Sequence, residues 1–228
     1  MPFLFCPFFA FFIVVVALII YAWVQGDKRR KLLAAYAASR GMQFSSEDPF
    51  DIPTSLGGFG LMQQGHGKGA ANVHWGAPRG FDVMLFEYEY KTGSGKDEST
   101  HSHICCRWSL PAPLANMAMR PEGVFDRVAE WFGQNDIDFE SEEFSRRYHV
   151  TGSDAREVYA VIHPRMMEFI MQSGMEYLEI MGNQALTYTN ESTLSPERCD
   201  RFLTVAEGFN GNLPPHIVRE KGGATNVS

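Results

Sequence analysis

The chain has 228 residues, 45% of them apolar and 21% charged, with a net charge of −7. That balance holds even though residues 28–31 supply four cations, so the remainder is too acidic for a nucleic-acid surface, which needs a basic stripe. The cysteines at 6, 105, 106 and 199 have neither framework nor C-x-x-C spacing, which excludes a disulfide-stapled scaffold.

Residues 3–24 read FLFCPFFAFFIVVVALIIYAWV, with no ionisable acid or base except the Cys6 thiol. At about 1.5 Å per residue this makes roughly 33 Å of helix, enough to cross a hydrocarbon core of about 30 Å. No positive region precedes it and no small-residue cleavage site follows, so it reads as a retained anchor over residues 1–26, not a signal peptide. Tyr21 and Trp23 favour the headgroup level, and Lys28, Arg29, Arg30 and Lys31 follow at the membrane surface. By the positive-inside rule the N-terminus lies outside and the bulk of the chain lies in the cytoplasm, with the basic flank on anionic lipid headgroups. In the outer half, Phe5, Phe8, Phe9, Phe11 and Phe12 offer a helix-packing interface to other integral membrane subunits.

Residues 27–41 continue the helix as a juxtamembrane segment, and Gly41 is a natural stop. A short strand is expected at 42–44, then glycine-rich loops over 51–69. Those glycines fit neither G-x-x-x-x-G-K-[ST] nor G-x-G-x-x-G, so no phosphate cradle is expected. Residues 72–75 and 81–91 read as strands, the second alternating Glu87 and Glu89 against Tyr88 and Tyr90, with 92–97 as a hairpin tip and 101–109 as the returning strand. Pro111 and Pro113 are expected to break the sheet before another strand at 116–120. An amphipathic helix is expected after Pro121, with Val124, Phe125, Val128, Trp131 and Phe132 on one face. A strand over 146–151 follows, then Gly152-Ser153-Asp154 supplies a cap for a helix through Ile162, and a second helix runs through Gln172. Next come strands at 177–181 and 184–189 joined by Gly182-Asn183, then a helix from Ser195-Pro196 to about Gly208. The class is α+β: one N-terminal transmembrane helix, then a mostly antiparallel sheet with helices packed on it over residues 42–216, and a polar tail over 217–228.

His101, His103 and Cys105 alternate along a strand and so share a face, which makes them the best metal candidates, though nothing nearby completes a ligand set. The acidic run from Asp136 to Glu143 lacks the calcium-loop pattern and reads either as a solvated face or as salt-bridge partners of Arg146 and Arg147. Met166, Met167, Met171 and Met175 read as core. There is no G-x-S-x-G and no nucleophile beside a base, so no catalytic residue and no cofactor are expected.

The segments YEYKTGSGKDESTHS, LPAPL, RPEGVFDRVAEWFG, DIDFESEEFSRRYHVTG and HPRMMEF, behind one span and a basic flank, resemble a family of uncharacterised bacterial single-span membrane proteins with a cytoplasmic domain. The resemblance runs from Lys28 to about Phe209. It implies a bacterial origin and carries no activity or catalytic residues. The expected function is a non-enzymatic accessory or scaffold subunit of a larger membrane complex, photosynthetic or respiratory. A tethered sensor or adaptor for a peptide or small ligand is the alternative, and a metal-dependent enzyme the third reading.

Overall fold

The computed structural model describes residues 5–123 and 137–222. Helix α1 (Phe5–Ser39) is one unbroken helix, apolar and long enough to cross a membrane. It stops where glycine was expected to stop it. Gly41 takes φ 67°, its N–H donates to the Ala38 carbonyl, and the Met42 N–H donates to the Ala37 carbonyl at 2.8 Å. That double bond satisfies the last carbonyls of the helix and turns the chain into β1 (Gln43–Glu47).

The glycine-rich stretch forms two single helical turns, α2 (Ile52–Ser55) and α3 (Gly60–Gln63). Then come β2 (His66–Gly76), β3 (Val83–Thr92) and β4 (Ser99–Pro121). After the undescribed residues lie α4 (Glu142–Arg147), β5 (Tyr148–Gly152), α5 (Ala155–Val161) and α6 (Pro164–Ser173). The chain continues with β6 (Tyr177–Thr189), α7 (Pro196–Asn212) and α8 (Pro215–Gly222). All six strands pair antiparallel, in the order β1-β2-β3-β4-β5 with β6 also on β4. The expected amphipathic helix after Pro121 lies mostly outside the described residues.

Two expectations about the sheet need refining. β4 is a single extended run through Pro111 and Pro113, where a break was expected. Its pairing does lapse there: residues 104–109 pair with 184–189 of β6, residues 114–119 pair with 178–182, and 110–113 have no β6 partner. Proline fits this unpaired corner because no ladder bond needs its missing N–H. β6 is likewise one extended run that doubles back. Tyr177 and Tyr188 would sit roughly 36 Å apart on a straight strand. Instead their rings stack at 4.5 Å, and the Thr187 hydroxyl donates to the Tyr177 carbonyl at 2.6 Å. Gly182 takes φ 56°, the left-handed first position that a two-residue hairpin turn gives to glycine. The two halves of β4 therefore flank the two arms of β6.

Alternation sorts the strand residues into two cores. Leu85, Ile104, Cys106, Trp108, Leu178 and Ile180 face a layer built from α6, α7, α8 and the last turns of α1. Phe86, Tyr88, Cys105, Leu186 and Tyr188 face α2 and α3. The second cover is pinned by Glu179, which is 1% exposed and accepts from the Gly60 and Leu61 N–H groups at 2.5 and 3.0 Å. The polar tail expected from 217 begins instead as α8, because Ile217 is buried and packs into the first core.

Caps follow the sequence signals. Asp154 accepts from the Arg156 and Glu157 N–H groups, and Ser195 accepts from Arg198 ahead of Pro196. Met166, Met167 and Met175 are buried in the first core and Met171 packs against it. At its described start the acidic run alternates in burial, with Ile137 and Phe139 buried and Asp138 and Glu140 exposed. Glu143 pairs with Arg147 at 3.0 Å.

Candidate functional site: the junction of the membrane helix and the sheet

The last turns of α1 lie on the sheet. Leu33, Tyr36 and Ala37 recur at helical spacing and are 0, 8 and 1% exposed, while the turns before them are open. Beneath them His74 is fully buried between Tyr36 and Phe44, with ring centroids 6.2 and 4.9 Å away, and its Nδ1 lies 3.0 Å from the Asn72 carbonyl. Burial pushes the His74 pKa below the usual imidazole value, so the ring sits there neutral.

Three elements converge on Glu87 of β3. Its carboxylate accepts from Arg29 of α1, from Asn72 Nδ2 at 2.6 Å, and from the Leu194 N–H ahead of α7 at 2.6 Å. Asn72 reaches it from a left-handed backbone, φ 50°. Farther along α1, Asp200 of α7 accepts from the Tyr36 hydroxyl and from Arg40, both at 2.8 Å. A carboxylate at each end of the docked segment thus binds the helix to the domain through charge-assisted bonds, the stronger kind.

The basic flank is therefore not one surface. Arg29 turns into the protein and Lys31 pairs with Asp27 at 2.6 Å, whereas Lys28 and Arg30 are exposed and form no ion pair among the described residues. Tyr21 and Trp23 are exposed, as are Phe11 and Phe12; the side chains of Phe5, Phe8 and Phe9 fall outside the described set.

His101, His103 and Cys105 do share a face, and that face is a packed aromatic array. His101 stacks on Tyr90 at 4.8 Å, His103 stacks on Tyr90 at 5.6 Å, and Tyr188 meets His103 edge-on at 5.5 Å. Burial lowers the His103 pKa to about 4 and pushes the fully buried Cys105 thiol well up, away from the thiolate a metal needs. No three His, Cys, Asp or Glu groups among the described residues are placed to hold a metal ion. The thiols of Cys105, Cys106 and Cys199 are free and buried.

The junction was not legible in the sequence. Glu87 reads there as the outward member of an alternating strand, and only its place opposite a charged residue 58 positions away makes it a hub.

No family model matches the chain. No curated protein matches it either. Among solved structures, the mycobacterial trehalose monomycolate transport factor A, TtfA, is similar, with a TM-score of 0.59 over 82% of this chain and 96% of that one at 18% identity. At that identity the likeness is one of fold.

Proposed function

We propose that the chain is a non-enzymatic, single-span accessory factor that holds its α+β domain at a fixed attitude beside an integral membrane transport protein, on the cytoplasmic side of a bacterial inner membrane. The observation that carries this reading is the junction. A flexible tether would suffice to keep a domain near a membrane. Here the membrane helix runs unbroken into the domain and is fastened at Glu87 and Asp200. The exposed apolar surface supports it, because apart from Phe50 and Tyr159 every exposed large apolar side chain among the described residues lies on α1. Lys28 and Arg30 are the cations left for anionic headgroups, at about 1 kcal/mol each.

Transport, as the class of assembly, comes from the name of the fold neighbour. Neither a photosynthetic nor a respiratory complex finds support in the comparisons, and the metal-enzyme reading loses its residues to the aromatic array. Mass spectrometry of proteins co-purifying with the intact chain from mildly solubilised membranes tests the proposal. An integral membrane transporter in stoichiometric amount is expected; a chain that runs alone at monomer size overturns it.

A further inference from the structure

Between the C-terminal end of α6, the far end of β6 and the first turns of α7 lies a cavity of about 350 Å³, far above the ~10–15 Å³ that a single water requires. Its lining divides by chemistry. Met175, Phe202 and Val205 are buried and form an apolar wall. Arg201 stands at one side. Its contact with Glu191 is 3.5 Å long, and Glu191 is held more closely by Arg198 at 3.0 Å. Arg201 makes no hydrogen bond among the described residues, which leaves its planar donor fork available. Glu176 stands exposed on the rim with no ion-pair partner among the described residues.

We infer that this cavity binds a small zwitterion of amino-acid size, with its carboxylate on Arg201, its ammonium on Glu176 and its side chain against Phe202 and Val205. A simple anion would meet Glu176 and Glu191 as well as Arg201. A simple cation would meet Arg201. A molecule carrying both charges around a short apolar body meets Arg201, Glu176 and the apolar wall together. The site lies outside the anchoring role, so its failure leaves that role untouched.

Calorimetric titration of the full chain in mild detergent tests it, using the proteinogenic amino acids as free zwitterions. For any that binds, the N-acetyl form (no ammonium) and the methyl ester (no free carboxylate) follow, with sorbitol as a neutral polyol. Saturable binding of at least one small apolar amino acid is expected. Both blocked forms should bind at least tenfold more weakly and sorbitol not at all. Arg201→Leu and Glu176→Gln should each weaken binding about tenfold or more, which is ~1.4 kcal/mol. Thermal unfolding of the two charge variants should be unchanged. The inference is overturned if no amino acid binds, if a blocked form or sorbitol binds as well as the zwitterion, or if the charge variants, still folded, bind like the parent chain.

Discussion

A single carboxylate separates two arginines that look alike in the sequence. Arg29 bonds Glu87, while its neighbour Arg30 faces solvent. Glu87→Ala strips a part-buried acceptor from three donors at once: Arg29, Asn72 and the Leu194 N–H. Removing a shared acceptor of this kind costs about 2–3 kcal/mol. Arg29→Ala should cost about 1 kcal/mol because Arg29 retains access to water, and Arg30→Ala less than about 0.5 kcal/mol. Denaturant unfolding of the three full-length variants reads the order Glu87, Arg29, Arg30; equal effects at both arginines would refute the junction. His103 allows a second test. Its pKa is about 4 in the fold against 6.5 for a free imidazole. Between those values the unfolded chain binds a proton that the folded chain refuses, so stability falls as pH drops through that window and is fully present above it. The loss approaches about 3 kcal/mol below pH 4. His103→Phe keeps the ring between Tyr90 and Tyr188 and should flatten the difference in unfolding free energy between pH 7 and 4.5. A parent-like slope would show that His103 is not the group responsible.

At the scale of elements, turn chemistry was legible and long-range pairing was not. Gly41, Gly182, Asp154 and Ser195 mark their boundaries through local backbone rules, and the structure uses each one. The alternation of β3 and of residues 101–109 also held, because pleat periodicity is local. Pro111 and Pro113 misled only in part, since a strand tolerates proline where its ladder lapses, and the lapse depends on a hairpin more than sixty residues later. The glycines of 57–69 read as loop, but what they do depends on distant neighbours. Gly65 has φ 53°, and a Cβ there would run into the Lys91 carbonyl oxygen and the Tyr90 ring, whereas Gly182 at φ 56° has open space around it. Gly65→Ala should therefore cost about 2–3 kcal/mol, a clash added to strain, and Gly182→Ala only about 1 kcal/mol of strain. Thermal unfolding of the two variants compares them, and an equal cost would contradict the close approach of β2 to β3.

For the whole molecule, the long helix and the domain act as one body because the helix ends inside the domain's first core. Composition marks out the candidate span, and the placement of Leu33, Tyr36 and Ala37 shows where its helix meets the domain. In the proposed reading the cations at 28 and 30 set the direction, since Lys and Arg flanking a span accumulate on the cytoplasmic side. The function proposed for this chain needs the domain to face inward from an anchor that is retained. Protease added outside sealed spheroplasts measures this directly, with the full-length chain followed by an antibody to the domain. The account predicts that the domain survives until the membrane is permeabilised and that the mature chain still carries residues 5–26. Digestion of the domain in intact spheroplasts, or a mature chain that begins after Gly26, would contradict it.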